Sequence, residues 1–359
     1  MKALVLTGGS GVRLRPFTYS TPKQLMPLAN KPVLDHVIAH VRALGATEVC
    51  LLTGDWADAI TEAMGDGSRF DVTLTYLRQD RPLGLAHAVQ SARPFLGDDD
   101  FLMYLGDNIL TDDSGEAAEI VGDFRQHRPA AGLVVQHVAD PRAYGVAEVD
   151  TDGSVRRLVE KPSRPRTDLA VVGLYYFTAA IHRATDAIKP SARGELEITD
   201  AVQWLIDQGE QVSARRYSGF WKDVGRADDV LHCNRRLLGE LRTDVRGEID
   251  PASELRGQVV IEAGARVVRS RIEGPAIIGP GTLIEDSRIG PGTSIGRDCV
   301  VRGTHVSDSV VLQGAHIHTS RGLRGSLVGR FATVGPGEQG DPDHHFVIGD
   351  HAQIEMTVV

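Results

Sequence analysis

The sequence predicts an α/β, Rossmann-like domain built on a mainly parallel sheet, followed by a left-handed parallel β-helix. Two patterns carry this expectation. From Met1 to about Leu241, apolar runs that read as strands alternate with segments of helical period. Repeated βα units of this kind give a parallel sheet with helices on both faces. After Arg246 the helical period vanishes, and an aliphatic residue recurs every five or six positions: Ile261, Val267, Ile272, Ile278, Ile284, Ile289, Ile295, Val301, Val306, Leu312, Ile317. Ile261, Ile278, Ile295 and Leu312 are spaced by 17 residues, as are Ser270, Ser287 and Thr304. Three inward aliphatics per repeat fit a triangular coil with one on each side. A chain of 359 residues exceeds what one core organises, so residues 1–241 and 242–359 are expected to be separate domains.

Taken in order, Ala3 to Thr7 is a short apolar run that reads as a buried parallel strand. It runs into Gly8-Gly9-Ser10-Gly11, where glycines permit a sharp turn and let backbone N–H groups approach an anion. Arg13 and Lys23 then supply fixed positive charge, so the stretch has what a polyphosphate site needs; a glycine-rich turn that binds nothing is the alternative. It is not a Walker A loop, because no Lys follows Gly11. Nor is it the dinucleotide fingerprint, because Leu14 stands at the third glycine position. Val33 to Leu44 has helical spacing and stops at Gly45. Glu48 to Thr53 reads as a strand, Trp56 to Met64 as a helix, Val72 to Leu77 as a strand, Leu85 to Ala92 as a helix and Phe101 to Leu105 as a buried strand. Ligands of such sheets sit at the carboxyl ends of the strands, which singles out Gly8 to Arg13, Gln79 and Gly106-Asp107-Asn108.

Composition narrows the partners. The chain carries a net charge of −9 and no Lys/Arg run, which argues against a nucleic-acid partner. An acidic protein that binds phosphates must gather its positive charge in one cleft. Cys50, Cys233 and Cys299 lie too far apart in sequence for a zinc knuckle or a disulfide framework, which points to a reducing compartment. No apolar run reaches membrane-spanning length, and the run ending at Thr7 is too short for a signal peptide. A cytoplasmic protein with no membrane partner is expected.

Several acids and cations sit in unusual settings. Asp107 directly follows an apolar strand, where a carboxylate is costly unless it meets a cation; beside a triphosphate that cation would be Mg²⁺, and otherwise Asp107 caps the next helix. Asp223 lies in GFWKDVG, alone readable as a turn residue. Gln79 follows a strand, and its amide suits the donor–acceptor edge of a pyrimidine, although a polar loop would look the same. Glu160-Lys161-Pro162 ends a strand pattern, Tyr144 precedes Gly145, and SARGELEITD packs Arg193, Glu195, Glu197 and Asp200 around Gly194.

Together, and in this order, GGSGVRLRPFTYSTPKQLMPL, GLAHA, LGDNI, AYGVAEVD, EKP, VVGLYYF, SARGELEITD and WKDVG resemble the sugar-1-phosphate nucleotidylyltransferases, in particular those that act on glucose 1-phosphate and dTTP. The resemblance covers the first two thirds of the chain. It implies that Gly8, Gly9, Ser10 and Gly11 hold the nucleotide phosphates and sugar, that Arg13 clamps the triphosphate and that Lys23 bridges nucleotide and sugar phosphate. It further implies that Gln79 and Gly84 read the thymine, that Asp107 and Asp223 hold Mg²⁺, that Tyr144, Gly145, Glu160, Val172 and Gly173 line the hexose, and that Lys161 and Arg193 bind the sugar phosphate. Val12 and Val172 stand where the family often has a hydroxyl residue. The implied reaction is in-line attack of the sugar phosphate on the α-phosphorus of dTTP, giving dTDP-glucose and pyrophosphate, the first step towards dTDP-deoxysugars. The neighbouring expectation within the family is uridylyl transfer from UTP.

A β-helix after such a domain resembles the longer thymidylyltransferases and also the bifunctional uridylyltransferase–acyltransferases. His305, His316 or His318 would then be the candidate base of an acyl transfer. A scaffold for homo-oligomerisation or regulation is the preferred expectation, because no one histidine stands out. Gly335 to His345 breaks the repeat with a polar stretch, and Phe346 to Ile354 resumes it weakly.

Overall fold

Parallel pairing of buried aliphatic strands begins at the first residues. In a computed structural model describing residues 1–112, 114–318 and 322–335, strands β1 (Lys2–Leu6), β2 (Glu48–Thr53), β3 (Thr73–Arg78) and β4 (Phe101–Leu105) lie parallel in the order β4-β1-β2-β3. Leu6 faces Leu52 on one side and Leu105 on the other. Helices α1 (Val33–Ala43), α2 (Ala57–Met64) and α3 (Leu85–Leu96) alternate with them as the sequence pattern requires. Beyond β4 the sheet turns antiparallel. Strand β5 (Asn108–Thr111) leaves it, and after helix α4 (Glu116–His127) come β6 (Ala131–His137), β7 (Gly145–Val149), β8 (Val155–Glu160) and β9 (Leu169–Phe177). Strand β9 pairs antiparallel with both β4 and β6, completing a nine-stranded mixed sheet with β7, β8 and β10 (Val212–Arg216). The long β9 is buried along all nine residues. Strand β11 (Phe220–Asp223) pairs with β5 in a separate two-stranded sheet.

The sheet packs its core against α3, α5 (Ala180–Ala187) and α6 (Ile198–Asp207), with Phe101, Met103 and Phe177 fully buried. On the other side of β4, the partly buried His40 ring meets the Tyr104 hydroxyl at 3.0 Å through Nδ1. Burial pulls the His40 pKa down to about 4, against a smaller upward pull from Asp112. The ring is therefore neutral in the fold, and protonation favours the unfolded chain. Stability from this site should be complete above about pH 6.5 and drain away as pH falls to about 4, by about 3 kcal/mol. Thermal unfolding of His40→Gln beside the wild type across that window checks it: the variant should lack this part of the acid slope.

The polypeptide divides into two compact units, Met1–Ser10 with Leu34–Asp223, and Gly11–Val33 with Val224–Val359. The second contains helix α7 (Ala227–Gly239) and the β-helix, whose first rungs are Asp244–Val245 and Glu248–Ile249. Three parallel sheets of two- and three-residue strands form its sides. Val267, Ile284 and Val301 stack along one, and Ile261, Ile278 and Ile295 along another, at 0% exposure. The 17-residue interval does not hold throughout: Val245 pairs with Ile261 at 16 residues, Ile249 with Val267 at 18, and Val301 with Ile317 at 16. Ile295 is paired with Val311, not with Leu312 as the interval predicts, because the corner between Val306 and Val310 is one residue short. Leu312 is still buried, but outside the aliphatic stack, lining a cavity with Phe17 and Met26 of the Gly11–Val33 segment.

Serines stitch the coils at one corner. The backbone N–H groups of Ser270, Ser287 and Thr304 donate to the side-chain oxygens of Ser253, Ser270 and Ser287 at 3.0, 3.0 and 3.2 Å. Ser270 and Ser287 spend their own hydroxyl protons on Val268 and Glu285 carbonyls. His305, His316 and His318 project outward and are exposed. The resumed repeat from Phe346 and the polar stretch after Gly335 lie outside the described residues. Among the described residues no helix is long and apolar enough to cross a membrane, and Cys50, Cys233 and Cys299 are buried free thiols.

Candidate active site

The carboxyl end of β1 sets the geometry of the first unit. Thr7 donates both its N–H and its hydroxyl to the Leu52 carbonyl at 3.0 Å, which fixes where the turn begins. A Cβ on Gly8 would meet nothing within 4 Å, and Gly9 holds φ +103°, a conformation that L side chains rarely adopt. Ser10 is exposed. Next door, the Gly106 N–H donates to the Leu6 carbonyl at 2.9 Å, and a Cβ there would lie 2.8 Å from that oxygen. Glycine at 106 thus brings the backbone before Asp107 against the last residue of β1.

Asn108 links β5 to β11 through its side chain. Only 3% exposed, it donates Nδ2–H to Asp107 Oδ1 at 2.8 Å and accepts from Trp221 Nε1 at 2.6 Å. The β5–β11 register puts Asp223 directly opposite Asn108. The two acids that the sequence singled out 116 positions apart therefore sit one residue from facing each other. The Trp221 ring packs edge-on against Tyr144, centroids 5.1 Å apart. In β9 the pairing with β6 slips between Val171 and Tyr175. Val172, fully buried, and Gly173 lie within that irregularity, and a Cβ on Gly173 would come within 2.7 Å of the Asn108 amide. Gly173→Ala should therefore displace Asn108 or strain β9 at about 1–3 kcal/mol. A fall in the unfolding midpoint is expected, and an unchanged midpoint would show the space is not needed.

Sequence reasoning gave neither Asn108 nor Trp221 a role of its own. The available signal was the tryptophan directly before Lys222-Asp223 in a chain with 3 tryptophans.

The aromatic pair leads on to a charged cluster. Tyr144 accepts the Lys161 N–H at 3.0 Å through its carbonyl, and Lys161 holds φ +40°. Glu160 Oε1 is 3.3 Å from Lys161 Nζ and 3.5 Å from Arg193, while its Oε2 accepts from the Thr199 hydroxyl at 3.2 Å. Arg193 also reaches Glu195 at 2.7 Å and Glu197 at 3.4 Å. Glu197 is 4% exposed and accepts from Ser191 at 2.9 Å; burial raises its pKa, as it does that of Asp200, which also feels Glu160. Gly145 is required here, since a Cβ would sit 2.7 Å from Thr199 Cγ2. Tyr144, Gly145, Glu160, Lys161 and Arg193 thus form one neighbourhood. The SARGELEITD segment is part of it rather than a solvated surface.

Gln79 and Gly84 meet at the start of α3. Gln79 Nε2 lies 2.8 Å from His87 Nδ1 and 3.5 Å from the Gly84 carbonyl. Gly84 has φ +107°, and a Cβ would fall 2.4 Å from the Leu196 carbonyl oxygen. Leu196 is tied to this turn by its N–H to Leu83 (2.7 Å) and its carbonyl to Ala86 N–H (3.0 Å), so the Arg193 loop and the Gln79 loop are held together. His87 is a further neighbour that sequence reasoning did not assign.

Gly11, Arg13 and Lys23 belong to the second unit. Gly11, at φ +59°, accepts from the Thr18 hydroxyl at 2.8 Å and could not carry a Cβ, which would touch Thr18 Cγ2 at 2.9 Å. Arg13 lies exposed in the turn Val12–Leu14, and Lys23 is half-buried at the start of the turn Lys23–Leu25.

The donor set can be tested for Mg²⁺. Among the described residues no group of three or more His, Cys, Asp or Glu converges as a metal site. Asp107 and Asp223, one register step apart along the backbone, are of the donor type that suits an ion taking one or two acids and completing its shell with water and phosphate oxygens.

Comparison with known proteins gives the family. The model of the nucleotidyl transferase family matches residues 2–240. Two glucose-1-phosphate thymidylyltransferases, from Streptomyces antibioticus and Streptomyces griseus, are 49% and 48% identical to this chain over 99% of its length, covering 99% and 100% of theirs. A Bacillus anthracis protein solved with sucrose and assigned as a glucose-1-phosphate thymidylyltransferase superposes with a TM-score of 0.62 at 32% identity, covering 68% of this chain and 97% of that one. The chain belongs to the nucleotidyl transferase family.

Proposed function

We propose that this protein transfers a thymidylyl group from dTTP to glucose 1-phosphate, releasing pyrophosphate and forming dTDP-glucose. One observation carries the reading: the β5–β11 register sets Asp223 opposite Asn108, the residue after Asp107, and Gly106 ties that turn to the end of β1. The likeness to two thymidylyltransferases over nearly the whole chain supports the choice of substrates.

In this reading Gly8, Gly9, Ser10 and Gly11 offer backbone donors to the triphosphate, and Gln79 and Gly84 take the thymine. Tyr144, Gly145, Glu160, Val172 and Gly173 line the hexose, with Lys161 and Arg193 on its phosphate. The attacking phosphate oxygen is already anionic, so no general base is needed. The barrier is repulsion between two anions and charge growing at the α-phosphorus, which Arg13 and Lys23 offset. Asp107 and Asp223 would hold Mg²⁺, which supplies further positive charge to the phosphates. Residues 1–241 carry the chemistry and 242–359 act as a scaffold, in a homo-oligomer. The buried free thiols fit a cytoplasmic setting.

A pyrophosphate-release assay crossing dTTP, UTP, CTP and GTP with glucose, mannose and N-acetylglucosamine 1-phosphates tests this. The dTTP and glucose pair should be fastest. Preference for UTP would move the protein to uridylyl transfer, and silence of every pair would remove the catalytic reading.

A further inference from the structure

The segment carrying Lys23 ends in a two-rung hairpin, Pro27–Leu28 against Lys31–Pro32. Its two turn residues, Ala29 and Asn30, both hold positive φ, at +47° and +61°. Alanine in that region is strained, and such strain persists only where surrounding contacts over-determine it. Those contacts come from α7 and the β-helix of the same unit. Asn234 of α7, at 0% exposure, accepts the Ala29 N–H at 2.8 Å and the Ser294 hydroxyl at 2.7 Å through one oxygen, and donates to the Gly292 carbonyl at 3.1 Å. Asn30 donates its amide to the Ile295 carbonyl at 2.8 Å.

The hairpin is also packed, with Met26 and Leu28 at 0% exposure. A cavity of about 390 Å³ opens beside it, between Leu25, Pro27 and Pro32 and the coil residues Pro280, Arg297 and Gln313. The backbone links the hairpin to Lys23 without slack: Val33 N–H donates to Met26, and Met26 N–H donates to Lys23, at 3.0 and 3.2 Å.

We propose that Asn234 is a positioning residue for Lys23, and that the β-helix serves catalysis by bracing the Lys23 segment through it. A buried amide that satisfies three partners at once fixes one hairpin position, and an error of about 1 Å in a charged group can cost a hundredfold in rate. The proposal rests on the reading of Lys23 as a catalytic cation.

The test is a double-mutant cycle on the full chain, with kcat for pyrophosphate release as readout and thermal unfolding as control. Asn234→Ala should lower kcat by about tenfold or more in the wild-type background. With Lys23→Ala already present it should cost less than about twofold, because the group it positions is gone. Asn30→Gly, which keeps the turn but loses the amide contact, should show the same pattern more weakly and carries the cycle should Asn234→Ala not fold. Equal losses in both backgrounds, or unchanged kcat for the folded variants, would overturn the proposal. Near-normal turnover of Lys23→Ala alone would instead overturn the assignment of Lys23, a result separable from the first.

Discussion

An Asp107→Asn protein is expected to fold like the parent and to lose turnover by about a hundredfold to a thousandfold at a fixed millimolar Mg²⁺. The substitution is nearly isosteric, and the acceptor oxygen for Asn108 survives, so the Asn108–Trp221–Tyr144 string should stay intact. What disappears is one of two negative charges on the proposed metal. Losing several kcal/mol of charge stabilisation at a transferring phosphoryl group corresponds to that range. The discriminating measurement is kcat against Mg²⁺ concentration, together with an unfolding scan. The variant's curve should move to higher Mg²⁺ with an unchanged midpoint of unfolding. A curve identical to that of the parent would mean that Asp107 caps a turn and holds no metal.

The second large effect falls on the cations. Arg13→Ala and Lys23→Ala should each cost on the order of 3 kcal/mol in the transition state, about a hundredfold in kcat, because each would remove fixed positive charge from a site where charge accumulates. The loss should appear mainly in kcat. Arg13 is exposed in one short turn and Lys23 half-buried at the start of another, so neither truncation leaves a large cavity. Steady-state kinetics with dTTP and glucose 1-phosphate, beside thermal unfolding, separate the two contributions. Retention of near-parental turnover by either variant would remove that residue from the reaction.

Two central strands were read from sequence residue for residue, whereas the helix expected over Leu85 to Ala92 runs on to Leu96. Glu48–Thr53 and Phe101–Leu105 begin and end where the apolar runs do, because a central parallel strand is apolar on both faces and bounded by polar residues. The coil of the second unit was equally plain, since its inward positions recur along the chain itself. What escaped depends on contacts between distant segments. That Trp221 hydrogen-bonds Asn108, 113 positions earlier, is a result of the pairing of β5 with β11, and nothing local to either residue states it. Gly173 was read only as a residue at the hexose, and the Asn108 amide pressed against it was not visible in the sequence. Leu312 shows the opposite error. The 17-residue count continued one residue too far, because a shortened corner moves Val311 into register, and an aliphatic pair cannot announce which member turns inward. Arg193 was read as a cation at the sugar phosphate. The three carboxylates that hold its guanidinium are all visible in the sequence, but their convergence is not.

The stitched serine corner has a consequence for how this half of the molecule can change over time. Each hydroxyl is committed both to its own turn and to the next, so adding or removing a few residues would leave a backbone donor stranded unless a full circuit of about 17 came or went with it. Growth and shrinkage should therefore proceed in quanta. The shortened corner between Val306 and Val310 lies away from the Ser253–Ser270–Ser287 seam, which keeps its 17-residue step.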